Sequence, residues 1–347
     1  MRINRLKEIE GCLEPCVATV GFFDGVHRGH QFVISQMKEL AAARGLRTTA
    51  VTFAQHPRQV LSAITHTPSP TATVPDGSPS GLRPPQLLTT LDEKRQLLAE
   101  TGIDSLVVLP FDHEMARLTA RQFMQLLSQQ VGAKVLLTGY DNRFGCRSTV
   151  ILPDDSQREE GFADYVDYGR ELGIEVIRSQ AFDIDNVNIS SSKVRNLLLA
   201  GDVETAARYL GRPYSFSGRV VEGRRIGRQL GFPTANIEPS DSDKLLPAGG
   251  VYGVMVRLDN SETPLPGMMN IGTCPTFDGT ALTVEIHLFD YESNLYGRQL
   301  SADIMFRQRG EQKFETTDNL VQQLQQDAKA IHQHLTPTTT HPSPITK

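Results

Sequence analysis

The feature that most constrains this chain is residues 17–30, an apolar run that enters a turn rich in glycine and histidine. The segment reads VATVGFFDGVHRGH, and apolar residues then recur at helical spacing, at Ile34, Met37, Leu40 and Ala41. Glycine lets a backbone approach an anion, and the free N–H groups of a first helical turn point at that anion. The segment therefore predicts a strand, a phosphate-binding turn and a helix, with His27 and His30 on one side of the turn.

Length and charge narrow the class of protein. A chain of 347 residues favours two domains over one core, and its net charge of −5 argues against a general nucleic-acid binder. It has no apolar run of about 20 residues and no apolar signal region near Met1, so we expect no membrane partner. Four scattered cysteines are typical of reduced thiols and a cytoplasmic location.

Residues 1–210 alternate strand and helix patterns. The strand patterns cover 17–21, 48–53, 105–109, 134–138 and 174–178, and the helix patterns cover 31–44, 91–101, 119–130 and 162–172. Such alternation predicts a Rossmann-like parallel sheet wrapped by helices, with ligands at the carboxyl ends of the strands. The turn at 21–30 lies at such an end. Residues 65–85 interrupt the pattern with Thr, Pro, Ser and Gly, and predict a flexible insertion or a lid.

From residue 211 onward, short strand patterns follow one another. They cover 214–220, 232–237, 250–258, 265–271, 282–289 and 299–306, with Gly, Pro and Asp between them. This pattern predicts a mainly antiparallel β-barrel in a second domain, residues 211–335, closed by a terminal helix over 318–334. Residues 336–347, rich in Pro and Thr, predict a disordered tail.

Two further segments of the first part carry polar groups that suit a ligand. Ser190, Ser191 and Ser192 open a predicted helix that also holds Lys193 and Arg195 in its first turns. A serine N-cap alone would explain the serines, but cations near a helix N-terminus are unfavourable unless an anion is bound there. The loop at 139–147 brackets aromatic and polar residues with two glycines, which suits a flat ligand or a plain turn.

Two segments of the predicted barrel carry a similar signal. Thr234 and Asn236 alternate onto one face after Pro233, where their oxygens suit Mg²⁺ and phosphate or form the polar face of an edge strand. Glu285 shares a face with His287, as a general base or as part of a solvated sheet face. Residues 270–277 predict a Gly/Pro turn near these groups. In the first segment, Asp24 is expected either to cap the helix or to contact a ligand.

In these motifs the chain resembles the bacterial bifunctional riboflavin kinase/FMN adenylyltransferases, also called FAD synthetases, over residues 17–321. Residues 21–30 resemble that family's adenylyltransferase loop, with its His-x-Gly-His core. Residues 189–195 resemble its second phosphate motif, and residues 227–236 resemble its kinase Pro-Thr-Ala-Asn motif. Glu285 falls where the family places its kinase base. Several motifs in the expected order make the resemblance specific.

The resemblance implies two ATP-dependent steps. The C-terminal barrel would phosphorylate the riboflavin 5′-hydroxyl to give FMN, with Glu285 as catalytic base. Thr234 and Asn236 would hold Mg²⁺ and the ATP phosphates, next to Gly227. The partners implied are therefore riboflavin, FMN, FAD and ATP, with Mg²⁺ as cofactor.

The N-terminal domain would move AMP from ATP onto FMN, giving FAD and pyrophosphate. His27 and His30 would be catalytic, and Asp141 and Phe144 would lie by the flavin. The implied contacts to ATP and its phosphates in this domain are Gly21, Phe23, Asp24, Gly25, Gly29, Ser190, Ser191, Ser192 and Arg195.

Three departures from the family pattern bear on these expectations. Ser192 stands where Thr is usual and keeps the hydroxyl, whereas Asn142 stands where an aromatic residue is common. The insertion at 65–85 is longer than the family typically has. The sequence also leaves open two other functions: an enzyme in which only one domain is active, and a flavin-binding protein that does not catalyse a reaction. It is also compatible with a weak homo-oligomer.

Overall fold

The structure of the chain is a computed structural model, and it divides into two compact units, residues 1–189 and residues 190–347. It describes residues 1–8, 11–55, 86–139, 143–146, 149–151, 157–184, 187–223, 227, 231–259, 261–276, 279–291 and 293–336. Asp141, Asn142, the insertion at 65–85 and residues 337–347 of the predicted tail lie outside this set.

A six-stranded parallel sheet lies at the centre of the first unit. The strands of this unit are β1 (Arg2–Arg5), β2 (Cys16–Val20), β3 (Arg47–Phe53), β4 (Ser105–Leu109), β5 (Ala133–Thr138), β6 (Thr149–Ile151), β7 (Gln157–Glu159), β8 (Glu175–Arg178), β9 (Asp183–Ile184) and β10 (Val187–Asn188). The sheet order is β1-β4-β3-β2-β5-β8, while β6 pairs with β7 and β9 with β10 as antiparallel hairpins. The predicted Rossmann-like sheet is confirmed.

Helices cover both faces of this sheet. They are α1 (Arg28–Arg44), α2 (Leu91–Glu100), α3 (His113–Arg117), α4 (Ala120–Leu126) and α5 (Phe162–Leu172). Successive residues of β2 point to opposite faces, so Val17 packs with Ile34 of α1 while Ala18 packs with Phe123 of α4. The near-continuous apolar strands predicted from the sequence are buried because both faces are covered.

Some local boundaries differ from the sequence prediction. The helix predicted over 119–130 is α4 followed by a π-helical turn, Leu127–Val131, that ends at Gly132. The edge strand β1 was not predicted, because its four residues, RINR, do not alternate between apolar and polar side chains over a useful length. In the structure it pairs with β4. Its parallel register, which places Ile3 opposite Leu106, comes from tertiary pairing and not from local sequence.

The second unit begins with two helices and continues into a closed barrel. Its elements are α6 (Ser191–Ala200), α7 (Val203–Leu210), β11 (Tyr214–Val221), β12 (Ala235–Pro239), β13 (Gly250–Leu258), β14 (Leu265–Thr276), β15 (Gly279–Leu288), β16 (Gln299–Gly310) and α8 (Thr317–Leu335). The barrel order is β11-β12-β15-β14-β13-β16, with antiparallel neighbours. The predicted barrel and terminal helix are confirmed.

Alternation along the barrel strands sets its core. Val284, Ile286 and Leu288 of β15 are buried, whereas Glu285 and His287 between them are half buried. The Gly/Pro turn predicted over 270–277 is wrong, because β14 continues through Thr276 and pairs with β15 along its length. Ile331 of α8 packs on Val251 and Met268.

The boundary between the domains stays a prediction at residue 210. Helices α6 and α7 lie in the same compact unit as the barrel, and that unit begins at Ser190. Helix α7 lacks a sequence prediction of its own because its eight residues follow α6 closely. None of the helices described in either unit is long and apolar enough to cross a membrane.

Two helix-ending glycines allow a matched test of the packing in the first unit. Gly45 and Gly132 both have positive φ, 64° and 76°. A Cβ at Gly45 would meet nothing within 4 Å, but one at Gly132 would lie 2.5 Å from the carbonyl oxygen of Leu13. We expect G45A to lower the free energy of unfolding by about 1–2 kcal/mol, and G132A by about 1–3 kcal/mol more.

Differential scanning calorimetry of the two variants measures this difference. The backbone strain is common to both variants. The additional loss of unfolding free energy in G132A therefore reports the contact of the new Cβ with the backbone of Leu13, just before β2. Equal losses of thermal stability would contradict the close contact at Gly132.

Candidate active sites

The turn between β2 and α1 holds the backbone in a strained conformation. Residues 24–26 form a single 3₁₀ turn, and Phe23 and Val26 have positive φ values of 53° and 40°. A β-branched residue rarely has positive φ, and such strain costs on the order of 1–3 kcal/mol. Gly25, with φ of 79°, adopts this region without that cost. The strained backbone leads directly into the two predicted histidines.

His27 and His30 lie side by side, as predicted. His27 is the N-cap of α1, and its Nδ1 accepts a hydrogen bond from the backbone N–H of His30 at 3.3 Å. The two imidazole rings stack with centroids 3.6 Å apart and planes inclined by 18°. Among the described residues, Nδ1 of His30 has no hydrogen-bond partner. The pair therefore leaves one buried imidazole nitrogen, Nδ1 of His30, unsatisfied at the N-terminus of α1.

The His30 imidazole is held in its neutral form. Burial lowers the pKa of His30 well below its usual value, and the nearby charges of His27 and Lys94 lower it further. Two protonated imidazoles in contact would also repel each other. His30 therefore acts at neutral pH as a hydrogen-bonding group rather than as a cation.

The predicted glycines and Phe23 pack around this pair. A Cβ at Gly29 would lie 3.2 Å from the His27 ring, and one at Gly21 would lie 3.1 Å from the Phe23 ring. The Phe23 ring meets the His30 ring edge-on, with centroids 5.2 Å apart. Glycine at 21 and 29 therefore allows the aromatic rings of the turn to pack closely. Contacts of these glycines and of Phe23 with ATP stay predictions.

Asp24 anchors the turn to another part of the first unit. Its buried Oδ1 accepts hydrogen bonds from the backbone N–H groups of Leu88 and Thr89 at 2.9 and 3.1 Å. The Thr89 hydroxyl in turn accepts a bond from the backbone N–H of Gly25 at 3.0 Å. The helix-cap alternative for Asp24 is wrong, because His27 caps α1. Its contact with ATP stays a prediction.

An aromatic cavity of about 310 Å³ opens at the carboxyl ends of β2 and β3. Its lining includes Gly21, Phe22, Phe53, Phe111, Phe123 and Phe144. Phe144 is the predicted flavin neighbour, and its backbone N–H donates to the Tyr165 hydroxyl at 3.2 Å. The other aromatic residues were not predicted, because they lie far apart along the sequence and meet only in the fold.

The serine motif begins helix α6 in the second unit. Ser190 is the N-cap, and its side chain accepts a hydrogen bond from the backbone N–H of Lys193 at 3.3 Å. Ser191 and Ser192 follow as the first residues of the helix, with Arg195 one turn on. The capping explanation therefore holds for Ser190. A phosphate role for the motif stays a prediction.

The barrel brings its predicted site residues together. The Thr234 hydroxyl donates to Oε2 of Glu285 at 3.3 Å, and Asn236 is the cross-strand partner of Glu285 between β12 and β15. All three side chains are half buried. On the other side, Asn270 of β14 is also directly opposite Glu285. Asn270 was missed because the sequence predicted a turn there.

Two glycines leave room beside these groups. A Cβ at Gly227 would lie 3.0 Å from the Thr234 hydroxyl, and one at Gly223 would lie 2.0 Å from the Asn236 amide nitrogen. Hydroxyl, amide and carboxylate oxygens are the ligands that hard divalent cations prefer, so this donor set fits such an ion with phosphate. No cluster of three or more His, Cys, Asp or Glu that could hold a metal occurs in the described parts of either unit.

His287 fixes the Pro-Thr-Ala-Asn segment from the neighbouring strand. Its Nδ1 donates to the carbonyl oxygen of Pro233 at 2.9 Å. The His287 ring also meets Phe232 and Phe289 edge-on, with centroids 5.5 and 5.7 Å apart. This bond sets the backbone just before Thr234. The sequence placed His287 on the same face as Glu285 but did not predict this contact.

Sequence profiles of two enzyme families match the chain. The FAD synthetase profile matches residues 9–193, and the riboflavin kinase profile matches residues 210–335. A bifunctional riboflavin kinase/FMN adenylyltransferase of Escherichia coli is 36% identical over 315 residues, which are 90% of this chain and 91% of that protein. The chain belongs to this family. It is an enzyme with an N-terminal FAD synthetase domain and a C-terminal riboflavin kinase domain.

Other relatives and a solved structure agree with this membership. Proteins of the same description from Haemophilus influenzae and Listeria monocytogenes are 32% and 34% identical, covering 94% and 90% of this chain, and 96% and 90% of their own lengths. A solved chain from Streptococcus pneumoniae, titled a macrolide-efflux protein, aligns with a TM-score of 0.76 at 27% identity, covering 96% of this chain and 99% of that one. What this chain shares with that structure is the arrangement of its elements.

The contact between His287 and Pro233 generates a prediction for the kinase domain. We expect H287F, which keeps the aromatic packing but loses the donor, to lower kcat/KM for riboflavin phosphorylation by about tenfold, because it frees the segment that positions Thr234. H287N keeps a donor near the position of Nδ1 and should stay closer to the parent enzyme. Steady-state assays of FMN formation measure both.

Adenylylation of supplied FMN serves as the internal control, since it should be unchanged in either variant. Equal losses of FMN formation in H287F and H287N would show that the hydrogen bond to Pro233 does not matter.

Proposed function

We propose that this chain makes FMN from riboflavin at the Thr234–Asn236–Glu285 cluster and FAD from FMN at the His27–His30 turn. The observation that carries the kinase part is the 3.3 Å hydrogen bond from Thr234 to Glu285, beside Asn236 in the sheet register. It joins the predicted metal-binding residues to the predicted base. The observation that supports the adenylyl-transfer part is the stacked histidine pair at a helix N-terminus.

In the kinase step, Glu285 accepts the proton of the riboflavin 5′-hydroxyl as the oxygen attacks the γ-phosphorus of ATP. The bond from that phosphorus to the β–γ bridging oxygen breaks, so ADP leaves and FMN forms. Thr234 and Asn236 would hold Mg²⁺ and the ATP phosphates, beside Gly227. The ion, when bound, neutralises the charge that develops on the phosphates. Glu285 is half buried, so riboflavin can reach it.

In the adenylyl-transfer step, a phosphate oxygen of FMN attacks the α-phosphorus of ATP. The bond from that phosphorus to the α–β bridging oxygen breaks, and pyrophosphate leaves with its negative charge. His27 and His30 donate ring N–H groups toward that charge, and the α1 N-terminus adds a favourable dipole. Ser191, Ser192 and Arg195 are proposed as the second phosphate contact.

The aromatic cavity is proposed as the place for the flavin ring of FMN. Phe144 lines it, and the rings of Phe22, Phe53, Phe111 and Phe123 give a flat apolar ligand several stacking surfaces. A flavin role for Asp141 stays a prediction outside the described residues. We further propose a cytoplasmic enzyme with small-molecule partners, a weak homo-oligomer at most, and no nucleic-acid or membrane partner, in keeping with the net charge of −5.

The two-step assignment is tested first by a chromatographic assay of the purified protein with riboflavin, ATP and Mg²⁺, following FMN and FAD with time. FMN followed by FAD is expected. FMN alone would limit activity to the barrel and contradict the role of the histidine pair.

Glu285 can be tested separately from the first unit. We expect E285Q to lower kcat for FMN formation by about 10²–10⁴-fold, since the amide cannot take the hydroxyl proton. FAD formation from supplied FMN should be retained. The matched control E238Q changes an exposed glutamate of β12 and should leave both activities unchanged. Wild-type FMN formation in E285Q would exclude Glu285 as the base.

His30 gives the complementary test. We expect H30A to lower kcat for FAD formation from supplied FMN by about 10²–10³-fold, because a donor to the leaving pyrophosphate is lost. Riboflavin phosphorylation should be spared. H113A, at an exposed histidine that starts α3, is the control. Loss of both activities in H30A would point to misfolding instead of a catalytic role.

A further inference from the structure

Lys94 is a buried charge beside the histidine turn that neither proposed step uses. It lies in α2, and its side chain and backbone together are only 1% exposed. Lysine is almost never fully buried in proteins unless it has a compensating partner, because removing an ammonium from water is costly. A buried lysine in a core position that a methionine could fill therefore calls for an explanation.

Three described neighbours of Lys94 lie in or beside the turn between β2 and α1. Its Nζ lies 3.7 Å from the centroid of the Phe22 ring, within the range of a cation–π contact. The carboxylate of Asp24 attracts its charge, and His30 is close enough for the same charge to act on its imidazole. Asp24 is in turn bonded to the backbone of Leu88 and Thr89, just before α2. Helix α2 and the turn thus meet through one charged cluster.

We propose that Lys94 is a positioning residue of the adenylyl-transfer site, whose buried ammonium holds the turn through Phe22 and Asp24 and supplies positive charge behind the histidine pair. This inference rests on the proposed adenylyl transfer at His27 and His30. The negative charge that develops on pyrophosphate in that reaction is what a cation behind the turn would stabilise.

The charge of Lys94 is also sensitive to pH. Burial lowers the pKa of Lys94 to about 8, and the carboxylate of Asp24 opposes that decrease. The other titratable group facing it is His30, which stays neutral in this range. Lys94 therefore carries its charge below about pH 8 and loses it as the pH rises further. In the unfolded chain a lysine keeps its proton to a pKa of about 10.4, so the burial penalty on folding fades between these values.

Two substitutions separate the charge of Lys94 from its volume. K94M fills the space without a charge, and we expect kcat for FAD formation from supplied FMN to decrease at least tenfold at pH 7. K94R keeps a cation at every accessible pH and should recover part of that activity. K134M, at an exposed lysine of β5, is the matched control and should change nothing.

Three readouts distinguish a functional charge from a structural side chain. First, FAD formation by the parent enzyme should decrease as the pH rises through about 8, while K94R keeps its activity to higher pH. Second, NMR titration of labelled His30 should show a higher pKa in K94M, since a neighbouring positive charge has been removed. Third, K94R should recover FAD formation even if K94M lowers the thermal midpoint, which is expected because K94M leaves the buried Asp24 carboxylate without its neighbouring cation.

A lower thermal midpoint in K94M with unchanged His30 titration and no recovery of FAD formation in K94R would overturn the proposal and make Lys94 a structural residue. Unchanged FAD formation in K94M would also overturn it. Far-UV circular dichroism and a cooperative thermal transition of the first unit report whether each variant is folded, because the riboflavin kinase domain lies in the other compact unit. If the parent enzyme forms no FAD at all, the proposed adenylyl transfer fails, whereas the His30 titration still shows whether Lys94 acts on the histidine.

Discussion

The hydrogen bonds from Leu88 and Thr89 to Asp24 are the constraint on which the first site depends. The turn that carries the histidines includes a valine at positive φ, which costs on the order of 1–3 kcal/mol. Hydrogen bonds to a charged acceptor contribute about 1.5–3 kcal/mol each, enough to offset that strain. Because the turn is held in this conformation, His27 can cap α1 and stack on His30 at the same time.

The barrel site is built in a different way. Its groups lie on strands, and the antiparallel register places Asn236 and Asn270 directly opposite Glu285 on either side. Each strand is fixed by its neighbours' backbone hydrogen bonds, so no strained turn is needed to bring these groups together. The hydrogen bond from His287 to Pro233 extends that order to the segment before Thr234, which precedes β12. The strand register therefore sets the spacing of the groups proposed for the kinase step.

This contrast explains what could be predicted from the sequence. Helical and two-residue periodicity predicted the parallel sheet, the barrel and the shared face of Glu285 and His287, since these depend on local pattern. The motifs predicted that His27 and His30 lie together. The positions of Asn270 opposite Glu285 and of Lys94 beside the turn could not be predicted, because they arise from strand register and from the packing of α2 against a distant turn. The same holds for Asp24, whose partners are more than 60 residues away.

The Asp24 anchor also joins two parts of the first unit that lie far apart in the sequence. The described chain leaves β3 after Phe53 and is fixed again at Leu88 and Thr89 by their bonds to Asp24. The conformation of the strained turn therefore depends on the hydrogen bonds that Leu88 and Thr89 donate to Asp24. Replacing Thr89 would remove the hydroxyl that accepts from the backbone N–H of Gly25, whereas the bond from Leu88 comes from its backbone and does not depend on its side chain, and neither residue is part of the proposed chemistry.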